Sequence, residues 1–323
     1  MITQFRLSVV APLHNEEANI PELLRRTKDM LDQIAGGPHE LVLVDDGSRD
    51  GTLELLRAAA RDDSRITVIS LSRNFGHQAA LTAALDHVTG DAAVIMDGDL
   101  QDPPECIPQL LERFHAGYDV VYAQRVKRKE PFYLRWCYAL FYRLAAQVAE
   151  VELPLDAGDF GLMSRRVLDH LRRLREHHRY LRGLRSWVGF RQIGVSVERG
   201  ERNAGTSNYT AWKLFKLASD GLLAFSVVPI RAAALLGGVA VALAVLFTLY
   251  NVVARLATWQ VPRGFTALTV LITFLSGVNL VFLGIIGEYV GRIYEEVKAR
   301  PIYVVSELIS SALQVARAAG QSS

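Results

Sequence analysis

Disulfide-forming residues and net charge are both scarce in this chain of 323 residues. Its two cysteines, Cys106 and Cys137, are too few for a disulfide framework, which indicates free thiols in a reducing compartment. The formal net charge is only +2, so no overall positive field favours a nucleic acid as partner. The first residues, MITQFRLSVVAPLHNEE, lack the basic segment and long apolar core of a signal peptide. These absences argue against a secreted disulfide-rich protein and against a nucleic-acid-binding protein.

Two glycine-rich phosphate-binding motifs are missing as well. No GxGxxG follows the first apolar run, and neither GxxxxGKS nor GxxxxGKT occurs anywhere in the chain. A dinucleotide fold with that fingerprint is therefore disfavoured. Apolar residues, by contrast, make up 50% of the chain, and the mean hydropathy of +0.16 is high for a purely soluble protein. The apolar excess lies near the C-terminus.

Short apolar runs alternate with longer, mixed stretches over the first hundred residues. The runs predict buried strands and the stretches predict helices. The predicted strands are 7–12, 41–44, 66–71 and 92–96, and the predicted helices are 15–31, 50–60 and 78–88. This alternation predicts an α/β fold with a mostly parallel, doubly wound sheet.

An acidic motif, Asp97-Gly98-Asp99, follows the fourth predicted strand. Oxygen ligands at Asp97, Asp99 and Gln101 suit a hard divalent cation such as Mg²⁺ or Mn²⁺. We expect Gly98 to let the backbone turn so that both carboxylates face one ion. The alternative is an acidic turn that caps the next helix, and the motif alone does not decide between them.

Polar residues also follow the first two predicted strands. Pro12-Leu13-His14-Asn15-Glu16 comes after the first, and Asp45-Asp46 comes after the second. Ligands of such sheets bind beyond the carboxyl ends of the strands, so these segments and the acidic motif are expected to share one crevice. Each segment alone is also compatible with a helix cap. Together they indicate a nucleotide site.

Several motifs in fixed order resemble a known family. APLHNEEANI, LVLVDDGSRDGT, SRNFGHQAALTAAL and MDGDLQDPPE resemble glycosyltransferase family 2, whose fold is called GT-A. DAGDFGLMSRR, GERNAGTSNY and FLGIIGEYVGRIYEEVKARPIYVV resemble a membrane-anchored subgroup that uses polyprenyl phosphates. Dolichyl-phosphate mannose synthases and bactoprenol glucosyltransferases belong to that subgroup, and the resemblance covers nearly the whole chain.

The resemblance implies roles for individual residues. Asp159 matches the family's candidate base, and Asp99 is its predicted catalytic companion. An ionised acceptor phosphate hardly needs a strong base, so Asp159 has the alternative role of orienting the acceptor or contacting a sugar hydroxyl. The metal ligands are again Asp97, Asp99 and Gln101. The predicted nucleotide-sugar ligands are Pro12, Asn15, Glu17, Asp46, Asp97 and Arg202.

The acceptor phosphate is assigned to basic and hydroxyl side chains. Arg125 and Arg128 follow the next strand, and guanidinium groups match phosphate oxygens in forked geometry. Ordinary surface charge is the competing interpretation. Ser207 lies in RGERNAGTSNY, which resembles the family's flexible segment over the donor. Asn208 stands where the family often has lysine, so no charge contact is predicted there.

Residues 171–185 are rich in arginine and histidine. A nucleic-acid patch disagrees with the near-zero net charge, and attraction to anionic headgroups or lipid phosphate fits better. His177 and His178 are adjacent rather than four residues apart, so they are not predicted to bind a metal.

The C-terminal third predicts a membrane anchor. An amphipathic helix at 212–230 is followed by two uncharged stretches, 232–254 and 265–287, each longer than the about 20 residues that span a bilayer. Two buried core helices are the alternative. Basic residues flank the predicted hairpin (231–290) and place the catalytic domain, 1–211, and the tail, 291–323, in the cytoplasm. After Pro301 we expect a short helix. The predicted location is the inner or plasma membrane, with more than one span.

These features predict an inverting, metal-dependent hexosyltransferase that moves a sugar from a nucleotide-sugar to undecaprenyl or another polyprenyl phosphate. UDP-glucose is the predicted donor, while GDP-mannose and other UDP-sugars stay open. The expected partners are the donor, the lipid acceptor and the bilayer, with no nucleic acid, and a homo-oligomer is left open. Two rival functions are a processive polysaccharide synthase and an inactive anchored scaffold that only binds nucleotide. The QxxRW-like motif of processive synthases does not occur in this sequence.

Overall fold

The computed structural model describes residues 5–125, 157–177, 179–197 and 264–310, together with parts of 235–253. The chain divides into two compact units. The first contains residues 1–146, 151–210 and 300–323, and the second contains residues 147–150 and 211–299. The sheet and all the candidate site residues described below belong to the first unit.

One sheet of eight strands organises the first unit, in the spatial order β7-β5-β6-β4-β1-β2-β3-β8. Its strands are, along the chain, β1 (Leu7–Leu13), β2 (Glu40–Asp45), β3 (Ile66–Leu71), β4 (Ala92–Ile95), β5 (Val120–Arg125), β6 (Ala157–Ser164), β7 (Gln192–Val197) and β8 (Val305–Ser310). The four central strands, β4, β1, β2 and β3, run parallel, whereas β6 and β8 are antiparallel to their neighbours. The predicted mostly parallel α/β sheet is confirmed.

Strand order explains where a ligand crevice forms. The chain leaves β1 towards β2 and β3 on one side and later returns to place β4 on the other side. The carboxyl ends of β1 and β4 therefore lie at a topological switch point, where the loops above the sheet diverge. The acidic motif follows β4, and the segment from His14 onward follows β1.

The central strands are buried from end to end. Every residue of β1 and β2 is buried, and the core cluster runs from Leu7 and Val9 through Leu41 and Leu43 to Val94. Because helices cover both faces of such a sheet, its strands are uninterrupted apolar runs rather than alternating ones. This is why the first four strands were predictable to within one residue at each end.

Six helices accompany the sheet in the described part of the first unit. They are α1 (Ile20–Leu31), α2 (Thr52–Asp62), α3 (His77–His87), α4 (Ile107–His115), α5 (Arg165–Arg173) and α6 (Leu181–Trp187), with a 3₁₀ turn at Pro104–Cys106 before α4. The prediction that the first helix opens near Asn15 is wrong, since α1 begins at Ile20. Asn15 has a φ of 57° and forms part of a loop that hydrogen bonds draw towards β2.

Soon after Pro301 the chain forms a strand, β8, rather than a helix, while residues 311–323 of the tail lie outside the described residues. β8 pairs antiparallel with β3 and places Ile309 in the core, only 5% exposed. Tyr303 Oη donates a hydrogen bond to Asp86 Oδ2 (2.9 Å), and Arg57 Nη2 lies 2.6 Å from Glu307 Oε2. The β-branched run before β8 favours extended backbone, and an open edge of β3 supplies the partner.

The second unit contains one long apolar helix, α7 (Phe265–Val297). Within the described residues, the stretch Phe274–Val297, with a mean hydropathy of 1.5, is the one segment with the length and composition of a membrane span. α7 extends ten residues beyond the predicted span 265–287. The other predicted span, 232–254, is described only in part, as a shorter apolar helix at Leu235–Phe247, so the two-helix hairpin stays a prediction. The amphipathic helix predicted at 212–230 lies outside the described residues.

Truncating Ile309 tests whether β8 is part of the core. Ile309→Ala is expected to destabilise the first unit by about 2–4 kcal/mol, because it removes buried methyl groups and leaves a cavity. Val305→Ala on the same strand, where the side chain is 36% exposed, should cost less than about 1 kcal/mol. Urea unfolding of the full-length protein in detergent, with hydrogen exchange of residues 66–71, measures both. Equal effects of the two substitutions would contradict the placement of β8.

Candidate functional site

Hydrogen bonds join the loops that follow β1 and β2. The backbone N–H of Asn15 donates to Ser48 Oγ (3.0 Å), and Asn15 Oδ1 accepts from the N–H of Arg49 (2.8 Å). Glu17 Oε2 accepts from the N–H of Gly51 (2.9 Å), directly before α2. The predicted nucleotide ligands Asn15 and Glu17 thus also hold the second loop in place.

Asp46 extends this network to the loop after β3. Its two carboxylate oxygens accept hydrogen bonds from the backbone N–H groups of Phe75 (2.7 Å) and Gly76 (3.0 Å). The next residue, Gly47, has a φ of 65°, and a Cβ there would lie 2.5 Å from the carbonyl carbon of Arg73. Only glycine fits both the conformation and the space. Three successive strand ends are therefore fixed against one another.

Antiparallel pairing brings Asp159 to the acidic motif. β4 and β6 pair Ala92 with Ser164 and Ile95 with Gly161. Continuing that register by two residues along each strand places Asp97 opposite Asp159. The two residues are 62 positions apart in sequence, and the strand pairing alone makes them neighbours.

Two basic side chains converge on Asp159. Arg182 donates a forked pair of hydrogen bonds to its carboxylate, Nε to Oδ1 (2.7 Å) and Nη2 to Oδ2 (2.9 Å). His77 Nε2 lies 3.6 Å from Asp159 Oδ2 and 3.9 Å from Asp97 Oδ1. His77 is the first residue of α3, and Gln78 Oε1 accepts from the N–H of Leu181, which opens α6. This link between two helix starts brings Arg182 and His77 to the same carboxylate.

The surroundings shift the pKa values of the two aspartates in opposite directions. Burial alone raises the pKa of Asp159, but Arg182 and His77 outweigh it and hold that pKa far below its ordinary range. Burial raises the pKa of Asp97; His77 opposes the rise, and the carboxylates of Asp102, Asp159 and Asp99 add to it. Burial lowers the pKa of His77, yet Asp159 and Asp97 raise it overall. Asp159 is a firmly ionised carboxylate, while burial and neighbouring carboxylates keep the pKa of Asp97 raised.

Gly98 and Leu100 both shape the acidic turn. Gly98 lies within the turn, as expected, without a positive φ, and a Cβ there would lie 2.2 Å from Leu13 Cδ2. Leu100 has a φ of 59°, an uncommon conformation for a residue with a side chain. The N–H of Gln101 then donates to Asp99 Oδ1 (3.1 Å). Space at Gly98 and strain at Leu100 set the position of the two carboxylates.

The donor set of the acidic turn agrees chemically with a hard divalent cation. Asp97, Asp99 and Gln101 offer two carboxylates and an amide oxygen, and a cation would relieve the repulsion that raises the pKa of Asp97. In the part of the chain that the structure describes, however, no three His, Cys, Asp or Glu side chains are grouped closely enough to hold an ion. The turn alone therefore supplies too few acidic ligands for a closed metal site.

The structure brings most of the predicted site residues to one edge of the sheet. Pro12 is buried in β1, and the residues that follow central strands are Asn15, Glu17, Asp46, Asp97, Asp99 and Gln101. Asp159 lies near the start of the antiparallel strand β6, at the same edge. Arg125 is the last residue of β5, and its side chain is outside the description. Arg128, Arg202 and Ser207 lie outside the described residues. Their assignments stay predictions.

His77 and Arg182 were missed by reasoning from the sequence. His77 carries the same signal as the predicted residues, because it directly follows the loop after β3. Arg182 carries no local signal, since it reaches Asp159 only through the packing of α6 beside α3. It belongs to the Arg/His-rich stretch, whose predicted role concerned lipid phosphate.

Comparison with known proteins identifies relatives along the whole chain. The family model described as Glycosyl transferase family 2 matches residues 8–172. An uncharacterized glycosyltransferase of Bacillus subtilis is 42% identical over 95% of this chain and 95% of its own. A prophage-derived bactoprenol glucosyl transferase of Shigella flexneri is 38% identical over 94% of this chain and 98% of its own.

Among solved structures, one similar chain is a mannosyltransferase from Pyrobaculum calidifontis in complex with GDP-mannose and Mn²⁺. It is 20% identical, covers 87% of this chain and 88% of its own, and superimposes with a TM-score of 0.46. At that distance the likeness carries no argument about substrate or metal.

A double-mutant cycle tests the Arg182–Asp159 pair. Arg182→Met should cost roughly 3 kcal/mol of stability, because the buried Asp159 carboxylate loses its forked partner and keeps only His77 beside it. A third of the Arg182 side chain is exposed, which keeps the cost at the low end for buried pairs. In an Asp159→Asn background the same substitution should cost about 1 kcal/mol or less. The measurement is the unfolding free energy of the four proteins. Additive losses would show that the two groups do not interact.

Proposed function

The chain belongs to glycosyl transferase family 2, and we propose that it transfers a hexose from a nucleotide-sugar to a polyprenyl phosphate. The observation that carries this proposal is the end-to-end similarity to the bactoprenol glucosyl transferase of Shigella flexneri, which covers 94% of this chain. The similarity extends through the apolar C-terminal third as well as the sheet. A protein that shared only nucleotide binding with this relative would not be expected to resemble it in the apolar C-terminal third.

The electrostatics of Asp159 favour an acceptor that is already ionised. A general base must have a pKa near the working pH, and the pKa of Asp159 is held far below its ordinary range by Arg182 and His77. A sugar hydroxyl as acceptor requires such a base. A phosphate monoester, with a second pKa of about 6, is largely deprotonated at neutral pH and requires none. Asp159 therefore acts by position and charge rather than by accepting a proton.

In the proposed reaction a phosphate oxygen of the acceptor attacks the anomeric carbon from the face opposite the nucleotide. The new carbon–oxygen bond forms as the bond to the nucleoside diphosphate breaks, and the configuration inverts. Asp97, Asp99 and Gln101 would hold Mg²⁺ or Mn²⁺, which neutralises charge on the departing diphosphate when it is bound. Asn15, Glu17 and Asp46, together with Pro12, would line the pocket for the base and ribose.

The acceptor side is assigned to residues whose roles rest on sequence. Arg125, Arg128 and Ser207 would bind the acceptor phosphate, and Arg202 would contact the departing diphosphate. We further propose that α7 is one of two spans that anchor the enzyme in the cell membrane, with the catalytic unit on the cytoplasmic side. An anchor of this kind keeps a soluble donor and a lipid acceptor within reach of one site.

The proposal is tested by product formation with defined substrates. Purified full-length protein, Mg²⁺ and undecaprenyl phosphate are incubated with UDP-glucose, other UDP-sugars or GDP-mannose, and lipid-linked products are separated. One monosaccharide per lipid, with UDP-glucose as the best donor, is expected. A growing polymer would instead indicate a processive synthase. Nucleotide binding without any product would indicate a scaffold.

Asp99 tests the proposed cation site. Asp99→Asn should lower turnover by about a hundredfold or more, because it removes one of two carboxylates from the cation while keeping the shape of the turn. Excess chelator should abolish transfer by the wild-type protein, and added Mn²⁺ should restore it. Glu112→Gln, an exposed acidic residue on α4, is the matched control and should leave transfer unchanged. Full activity in chelator would remove the metal from the mechanism.

A further inference from the structure

We propose that Arg185 is a phosphate-binding residue of this site, with its buried guanidinium group directed at a phosphate oxygen of one substrate. The proposal deepens the proposed function and rests on it for the identity of that substrate. The guanidinium group of Arg185 is buried, and no described acidic residue accepts a hydrogen bond from it. A phosphate group would be the missing partner.

Arg185 is one of the most deeply buried charged residues among those described, with 3% of its surface exposed. Its Nε and Nη2 atoms have no hydrogen-bond partner among the residues that the structure describes. The guanidinium group stacks over the ring of Tyr122, with 5.1 Å from its central carbon to the ring centroid. A cation–π contact of this kind stabilises the charge but leaves the in-plane N–H groups without acceptors.

Such an arrangement is costly for stability. Buried polar groups are nearly always hydrogen-bonded, and a buried charge without a hydrogen-bonded counter-ion costs several kcal/mol. Burial lowers the pKa of Arg185 to about 10, partly offset by the nearby Asp159, so the group remains a cation at neutral pH. Unsatisfied buried groups of this type are found at functional sites, where a ligand completes them.

The position of Arg185 joins it to the reacting centre. It lies one helical turn after Arg182 on α6, and Tyr122 beneath it pairs with Gly161 on β6, two residues from Asp159. The fork of Arg182 is already occupied by the Asp159 carboxylate, whereas the fork of Arg185 is not. Guanidinium and phosphate match in forked geometry, so a phosphate group is the ligand class that fits.

Two phosphate sources are compatible with this chemistry: the monoester of the lipid acceptor and the diphosphate of the donor. Direct binding and steady-state kinetics separate the two sources.

The first measurement uses inorganic phosphate and pyrophosphate as probes, in chelator and at low salt, with full-length protein in detergent. Calorimetric titration should show Arg185→Met binding about tenfold or more weakly than wild type, since hydrogen bonds to a charged group are lost. Arg179→Met is the matched control. Arg179 is also buried, 8% exposed, and its Nε and Nη1 likewise lack a hydrogen-bond partner among the described residues, but its Nη2 donates to the carbonyl of Leu171, its charge is near Asp86, and it does not lie beside Asp159. It should bind both probes like wild type.

The unfolding temperature without anion separates a phosphate-binding role from a structural one. If Arg185 stabilised the fold, its replacement would lower that temperature. Because Arg185→Met removes an unpaired buried charge and keeps a side chain of similar length, it should unfold at the same temperature as wild type or higher. Arg185→Lys keeps the charge but loses the fork, and it should bind the probes with intermediate affinity. If Arg185→Met does not fold, the Arg185→Lys result decides.

Kinetics with UDP-glucose and undecaprenyl phosphate then identify the source. A rise of about tenfold in the KM of the lipid acceptor, with the KM of the donor unchanged, assigns the acceptor monoester, and the reverse assigns the donor diphosphate. If Arg185→Met loses anion binding but the wild-type protein yields no lipid-linked sugar, Arg185 is a phosphate-binding residue and the proposed reaction is wrong. Absence of phosphate and pyrophosphate binding in wild type, or affinity unchanged in Arg185→Met and Arg185→Lys, would overturn the proposal.

Discussion

The site depends on one electrostatic constraint: antiparallel β4 and β6 place two carboxylates, Asp97 and Asp159, opposite each other in a largely buried crevice. Like charges in such surroundings are unfavourable unless cations accompany them. Arg182 satisfies Asp159 by a forked pair, and His77 lies between the two aspartates. His77 and Arg182 reach the aspartates only because α3 and α6 start side by side. The hydrogen bond from the N–H of Leu181 to Gln78 links these two helix starts.

A second requirement is that the loops at the switch point be fixed. Asn15, Glu17 and Asp46 hydrogen-bond to backbone N–H groups of neighbouring loops, so three strand ends share one network. A carboxylate has room for more than two hydrogen bonds, so Asp46 can order the loop before α3 and still accept from a ligand. Because these loops are already ordered, less of the free energy of ligand binding is lost to ordering them. Residues that look like nucleotide ligands in the sequence are also structural residues of the site.

The sequence predicted what depends on local pattern and failed where tertiary contacts decide. Fully buried strands are legible as apolar runs, so β1 to β4 and the strand-end positions of Asp46 and Asp97 were predictable. The start of α1 was not, because loop-to-loop hydrogen bonds hold Asn15 out of the helix. β8 was not, because its conformation depends on the free edge of β3, more than 230 residues earlier. Arg182 and Arg185 were noticed only as part of a basic stretch, since nothing local indicates which arginines are paired.

The charges of the site divide it into two halves with different requirements. Asp97, Asp99 and Asp102 form an acidic half, in which the neighbouring carboxylates contribute to the raised pKa of Asp97. Arg182 and Arg185 form a basic half beside Asp159, in which one guanidinium group is neutralised and the other is not. A donor that carries its own cation suits the first half, and an acceptor that brings a bare phosphate suits the second. A neutral hydroxyl acceptor would satisfy neither the unpaired guanidinium nor the need for a base, so the distribution of charge by itself favours an anionic acceptor.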